Sequence, residues 1–211
     1  RILERYGMTE TNMNTSNPVQ GDRRAGTVGM PLPGIEVRVC DGNGTPLRQG
    51  ETGMIEVRGP NVFSGYWRMP EKPGEDLRPT GCFIRGDLGA FDADGYLSIV
   101  GRAKDLIISG GLNIYPKEVE LAIDAKAGVL ESAVFGVPHP DFVEAVVAAV
   151  VPTGPGSVSA EALVAALSQE LAAFKRPKRI LILSELPRNA MGKVQNAELR
   201  RTYADLFSPA G

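Results

Sequence analysis

Four short stretches of the chain hold residue types that could handle a charged substrate. "RYGMTETN" sets Tyr6, Gly7, Thr9 and Glu10 close together. The ring can stack on a base, the backbone can be approached closely at glycine, and the Thr9 hydroxyl can donate to a phosphate. Glu10 offers Mg²⁺ the hard oxygen it prefers. The competing reading is a polar turn, which spacing alone favours. "FIRGDLG" (83–89) places Asp87 between Gly86 and Leu88, just past an apolar strand end. A carboxylate there could accept from both hydroxyls of a ribose, or could serve only as a turn residue. In "GRAKDLIISGGLN" (101–113), Arg102 could serve the same sugar or a phosphate, and Gly110 and Gly111 leave room for a thin ligand against backbone. "PRNAMGK" ends on Lys193. It is not a Walker-type loop, because no glycine stands at the required offset and Val194 replaces the Ser or Thr. Read alone, Lys193 is a surface lysine in a loop joining a strand to a helix.

Other reactive residues carry less. His139 is the single histidine, set between two prolines in "GVPHPD" with no nucleophile in a recognisable setting, and reads as a loop residue. Cys40 and Cys82 are far apart with no CxxC, so a zinc site or a disulfide framework is not expected, and they read as packing thiols in a reducing, cytoplasmic setting. "AFKRPKR" (173–179) reads as a solvated basic patch. The net charge of −2 supplies no field that would recruit nucleic acid or anionic lipid. No apolar run reaches about 18 residues, the length a membrane span would need.

The elements that must position these residues divide into two sets. The 25 glycines and 16 prolines among 211 residues predict many turns and short strands. Residues 1–102 read as β-rich: "IEVRV" (35–39), "GMIEVRG" (53–59) and "GYLSIVG" (95–101) alternate, with "DGNG" and "DADG" as turns. From 103 to 211 the pattern becomes α+β. "DLIIS" and "LNI" flank a Gly110-Gly111 hairpin turn. A helix follows in "PKEVELAIDA", with Pro116 in its first turn and Val119, Leu121, Ala122 and Ile123 as its apolar face. "ESAVFGVP" and "AVVAAVVP" are apolar β-branched runs. "SAEALVAALSQELAAF" (159–174) is the strongest helix, capped by Ser159, with Leu163, Ala166, Leu167, Leu171 and Phe174 on one face. "RILILSELP" reads as a buried strand and "VQNAELRRTYADLF" as a last helix. The boundary falls near Arg102 to Asp105.

Taken in order, "YGMTE", "GMIEVRGPNVFSGYW", "FIRGDLG", "GRAKDLIISGGLNIYPKEVE" and "PRNAMGK" resemble five consecutive motifs of the adenylate-forming superfamily of acyl-CoA synthetases, peptide-synthetase adenylation domains and luciferases. The resemblance spans about residues 3–206. Within it, "ERYGMTETNMNTSNP", "GYWRMPEK" and "NIYPKEVE" are most similar to ligases that join malonate or methylmalonate to coenzyme A. The resemblance implies a distorted β-barrel subdomain of the large AMP-binding domain, then a small α+β C-terminal lid. It implies ATP, Mg²⁺ and coenzyme A as co-substrates of a two-step ligation of a carboxylate through acyl-AMP.

By the same resemblance, Tyr6, Gly7, Met8, Thr9, Asp87 and Arg102 would bind nucleotide, with Tyr6 on adenine, Thr9 on the α-phosphate and Asp87 on the ribose. Glu10 would help hold Mg²⁺. Lys193 would bridge the attacking carboxylate and the α-phosphate. Lys104 would be the hinge of the lid, and Ser109, Gly110 and Gly111 would line the path of the CoA thiol. Arg5 could meet the distal carboxylate of a dicarboxylate substrate, or could pair on the surface. Also implied are a large N-terminal domain, absent from these 211 residues, and a lysine acetyltransferase and deacetylase acting on Lys193. Alone, the chain is expected not to catalyse the full reaction. A short- or medium-chain acyl-CoA synthetase is the nearest alternative. A peptide-synthetase loading domain fits less well, because no Gly-Gly-x-Ser carrier motif is present. A non-catalytic binding module is disfavoured by the retention of Glu10, Asp87 and Lys193.

Overall fold

The computed structural model describes residues 2–69 and 76–208. It forms two compact units that divide between Lys104 and Asp105. The end of "GYWRMPEK", namely Pro70, Glu71 and Lys72, lies outside the described residues.

The first unit holds two antiparallel sheets. Strands β1 (Arg5–Met8), β2 (Asn12–Ser16) and β3 (Met30–Pro31) form one, in that order. Strands β4 (Glu36–Cys40), β5 (Gly53–Arg58), β6 (Phe83–Phe91) and β7 (Leu97–Arg102) form a meander. Val37, Val39, Ile55, Val57 and Leu97 make its core, against which Tyr6 and Val28 pack. Successive side chains point oppositely, so Val37, Val39, Ile55 and Val57 share this core face, while Cys40 and Glu56 are buried on the other.

In the second unit, β8 (Ile107–Ser109) and β9 (Leu112–Ile114) form a two-residue hairpin, followed by α1 (Pro116–Asp124). Strands β10 (Val129–His139) and β11 (Val143–Pro152) form a long hairpin. The other edge of β11 is shared. β8 meets its first residue through the pair Val143 and Ser109, and β12 (Arg179–Ile182) runs parallel to its second half. Helices α2 (Ala160–Leu167) and α3 (Asn196–Thr202) complete the unit. Val134, Val146, Ala148 and Val150 face a core built with Val119, Ile123, Leu163 and Leu167. The alternate residues Phe135, Val137, Ala145, Val147 and Ala149 face a second core with Leu186 and Leu199. With both faces covered, the central strands carry no polar alternation, hence the continuous run "AVVAAVV".

Several elements differ from the sequence reading. The expected helix over 159–174 ends at Leu167, with a 3₁₀ turn at Ala173–Lys175. The Arg176 guanidinium takes up the carbonyls of Ser168 and Leu171, both at 2.8 Å, and so satisfies the chain where it leaves the helix. Leu121 is exposed on α1 while Val119 and Ile123 are buried, because 3.6 residues per turn puts Leu121 on the far side. β12 is half-buried: Ile180 points into the core and Ile182 outward. Ser159 does cap α2, accepting from the Ala162 amide at 3.1 Å.

Candidate functional site

β1 and β2 form a tight hairpin, and its closeness explains Gly7. A Cβ there would lie 2.0 Å from the Asn12 carbonyl oxygen, so the backbone brought close at this glycine is the chain's own. The register slips between Tyr6 and Gly7, which re-aims the Tyr6 side chain. Its hydroxyl donates to Asp87 Oδ2 at 2.7 Å, across to the second sheet. Asp87 and Arg102 are direct cross-strand partners on β6 and β7, and Arg102 Nε donates to Asp87 Oδ1 at 3.1 Å. Three residues far apart in sequence thus meet at one buried carboxylate. Burial first, then the Asp87 charge and hydrogen bond, push the Tyr6 hydroxyl far above the usual phenol range, against a smaller opposite pull from Arg102. Tyr6 is therefore a fixed neutral donor, and both carboxylate oxygens keep lone pairs for further donors.

Thr9 and Glu10 sit in the turn of that hairpin, Thr9 exposed and Glu10 buried. Glu10 is gripped by the 59–66 segment: its Oε1 accepts from the Tyr66 hydroxyl at 2.6 Å, and its carbonyl accepts from the Phe63 amide at 2.8 Å. Asn61 Nδ2 donates to the Thr11 carbonyl at 2.6 Å and to Asn14 Oδ1 at 3.0 Å. These positioning groups, Tyr66 and Asn61, were missed from sequence. "GPNVFSGYW" was legible as a motif, but nothing in it indicates which carboxylate its tyrosine meets. Glu10 suits Mg²⁺, which is held by one or two carboxylates together with substrate phosphates and not by an all-protein cage. Arg5 is exposed on β1, opposite Ser16, and Met8 lies opposite Asn12 at the hairpin end. A separate cavity of about 280 Å³, lined by Ile2, Glu4, Asn17, Arg23, Arg24 and Ala25, includes none of these residues.

Lys104 lies in the 3₁₀ turn Ala103–Asp105 and is the last residue of the first unit. In the second unit, Ser109 pairs with Leu112 around Gly110 and Gly111, whose φ angles are 58° and 79°. Two consecutive positive angles are what a type I′ hairpin turn demands, and glycine meets them without a Cβ penalty. Among the described residues, no atom other than those of Gly111 and its chain neighbours lies within 4 Å of where a Cβ on Gly111 would stand. Lys193 is exposed on a second tight turn. Asn189 Oδ1 accepts from the Met191 and Lys193 amides, each at 3.0 Å, and the Asn189 amide donates to the Lys193 carbonyl at 2.9 Å. The backbone of this loop is thus ordered up to the lysine, whose side chain projects from it.

The less chemical residues have structural partners. The His139 ring lies between Phe142 and Phe207, at 4.8 and 5.0 Å, and accepts from the Asp141 amide. Cys40 and Cys82 are buried free thiols, Cys40 pushed up chiefly by burial. In the basic stretch, Lys175 pairs with Glu118 at 2.6 Å and Lys178 lies over Phe142. Among the described residues, no helix is long and apolar enough to cross a membrane.

Comparison with known proteins places the chain. Residues 1–67 match the family model of the AMP-binding enzymes, and residues 118–193 match that of the AMP-binding enzyme C-terminal domain. A malonate–CoA ligase from Arabidopsis thaliana is 38% identical over 96% of this chain and 34% of its own length. A long-chain-fatty-acid–CoA ligase from Yersinia pestis is 39% identical over 94% of this chain and 35% of its own. The crystal structure of ATP-bound MatB from Rhodopseudomonas palustris shares 55% identity at a TM-score of 0.93, over 98% of this chain and 41% of that one. The chain therefore spans well under half the length of the relatives it matches. Its sheet-rich architecture is that of the adenylate-forming enzymes.

Proposed function

The chain belongs to the AMP-binding enzymes of the adenylate-forming superfamily, and from that premise we propose that it forms part of an ATP-dependent, AMP-forming acid–thiol ligase acting on malonate or methylmalonate. The observation that carries the reading is the convergence of Tyr6 and Arg102 on Asp87. That arrangement brings together an aromatic ring, a carboxylate with spare lone pairs and a cation, which are the groups a nucleoside monophosphate requires. In the first half-reaction the substrate carboxylate oxygen bonds to the α-phosphorus of ATP, and the bond to pyrophosphate breaks. In the second, the CoA thiol bonds to the acyl carbon, losing its proton, and the AMP oxygen leaves.

The chain's own residues serve these steps as donors and cations set in place beforehand, where charge develops. Tyr6 holds the adenine face, and its hydroxyl fixes the Asp87 carboxylate that accepts from the ribose hydroxyls. Arg102 holds the same carboxylate from the other side. Thr9 donates to the α-phosphate. Glu10, steadied by Tyr66, would hold Mg²⁺, which supplies positive charge to the phosphates. Lys193 neutralises charge at the α-phosphate during the first half-reaction. Lys104 would be the hinge about which the second unit exchanges Lys193 for the Ser109–Gly111 turn, whose open side at Gly111 admits the thiol arm. The grip on the β- and γ-phosphates and most of the acyl pocket would come from the part of the relatives' length that this chain does not span.

The malonate assignment is supported by the 38% identity to a malonate–CoA ligase over 96% of this chain. A short- or medium-chain fatty acid is the second reading, and the long-chain-fatty-acid–CoA ligase among the relatives supports a fatty acyl substrate in general, not that chain length. Arg5 as partner of a distal carboxylate separates the two. The test is substrate profiling of the full-length protein with malonate, methylmalonate, acetate and octanoate, following CoA-dependent AMP release. Malonate or methylmalonate should lead, and Arg5→Ala should lower that preference. Acetate or octanoate leading would overturn the assignment.

A further inference from the structure

The Ser109–Gly111 hairpin is a three-residue strand with a two-residue tip, and β8 joins the main sheet at a single residue pair, Val143 with Ser109. So short a strand has few ladder bonds to hold it in place. Its base is anchored by the pairing with β9 and by Ile107, buried in the core, and its outer part is held by one neighbouring segment. The Phe142 carbonyl accepts from the Gly110 amide at 2.9 Å. Two residues on, Glu144 Oε2 accepts from the Ile108 amide at 2.8 Å. The carboxylate has room for this because of Gly136 on β10: a Cβ there would stand 2.6 Å from Glu144 Oε1. Between the two acceptors lies Val143, with φ of 69°. A β-branched residue in the left-handed region is strained, and this one is 71% exposed, so no burial of its side chain offsets the strain. The Phe142 ring is itself seated, with Lys178 Nζ 4.8 Å from its centroid and His139 at the same separation.

We propose that Glu144 is a positioning residue for the Ser109–Gly111 hairpin, acting with the strained turn at Val143 as a latch that sets where the CoA thiol arm is received. This rests on the ligase reading above. The latch has two acceptors, the Glu144 carboxylate and the Phe142 carbonyl, and they hold the strand where it enters the tip, at Ile108 and Gly110. Loss of either frees the tip without opening the core hairpin of β10 and β11. The strained residue marks a turn that its surroundings over-determine, as happens where a backbone is held for a purpose beyond its own stability.

Amide hydrogen exchange on this chain reads the latch directly. Glu144→Ala should speed exchange at Ile108 by roughly tenfold or more, the factor carried by a lost hydrogen bond to a charged acceptor. Val147, in the middle of β11, should be unchanged. Glu144→Gln keeps a carbonyl oxygen and should restore most of the protection. Val143→Gly should raise the melting temperature by relieving strain while leaving Ile108 protected. In the full-length protein, Glu144→Ala should raise KM for CoA several-fold and leave the rate of acyl-AMP formation unchanged. Should Glu144→Ala fail to fold, Gly136→Ala crowds the carboxylate off its seat and serves for the same readouts.

Unchanged Ile108 exchange in the alanine variant would sink the proposal. So would faster Ile108 exchange with an unmoved KM for CoA, or a parallel fall in both half-reactions. Failure of the ligase reading itself would look different: the unsubstituted full-length protein would form no CoA thioester.

Discussion

The two units build their candidate groups in opposite ways. In the first, side chains of separate segments bond to one another: Tyr6 from one sheet and Arg102 from the neighbouring strand fix Asp87, and Tyr66 fixes Glu10. In the second, the candidates are the tips of two tight turns, Gly110-Gly111 and Asn189–Lys193, and what is fixed is backbone. The first arrangement suits a ligand whose position must not change, since each group is oriented by the next. The second fixes the backbone of the turn and leaves the Lys193 side chain exposed. An exposed lysine on an ordered turn needs no side-chain partner of its own.

The glycines offer the sharpest way to break this comparison. Gly7→Ala drives a Cβ into the Asn12 carbonyl, 2.0 Å away, and backbone cannot give as a flexible side chain would. The first unit should lose about 3 kcal/mol or more, read by urea unfolding. Gly111→Ala meets open space and faces only its φ of 79°, so its cost should stay near 1 kcal/mol. Equal costs would mean that the β1–β2 hairpin is looser than its geometry.

Lys193→Ala comes next. Pyrophosphate exchange by the full-length protein should fall by about 100-fold, with thioester formation from supplied acyl-AMP spared. Stability should move by less than about 0.5 kcal/mol, because the side chain is exposed. Equal damage to both half-reactions would count against a lysine that serves only one.

Tyr6→Phe keeps the ring but leaves the buried Asp87 short of one donor. Unfolding of the first unit should become easier by about 2 kcal/mol, the scale of a hydrogen bond to a charged group. The KM for ATP should rise with it. A variant as stable as the parent would show that Arg102 alone satisfies the carboxylate.

The smallest effect is a pH dependence in the second unit. Glu120 is pushed above the usual carboxylate range, chiefly by burial, although its Oε1 accepts from the Val134 amide at 3.1 Å. Between its unfolded and folded values the folded state binds more protons. Stability from this group is therefore greatest below the ordinary carboxylate range and falls as pH rises through the folded value. Glu120→Gln keeps the acceptor for Val134 and should remove that slope, as thermal melts between acid and neutral pH would show.

Much was legible in the residues themselves, where the governing physics is local. Gly110-Gly111 between β-branched runs specifies its hairpin because only that turn needs two positive φ angles in succession. Pro116 and Ser159 mark their helix starts for equally local reasons, and the motif order pointed to the superfamily that the comparisons then identified. Elsewhere the signal was absent. The length of α2 depended on Arg176 reaching back to Ser168 and Leu171, and no periodicity contains that.

What the tertiary structure alone decided is which groups meet. The sequence determined that Tyr6, Glu10, Asp87 and Arg102 exist, each near a turn or a strand end. It could not say that Tyr6 and Asp87, 81 residues apart, share a hydrogen bond, or that Tyr66 steadies Glu10. Nor could it reveal that Val143 sits at a positive φ, since nothing in its neighbours asks for one. Those facts follow from strand register and from the packing of one sheet on another, and they arise only once the apolar faces have found each other.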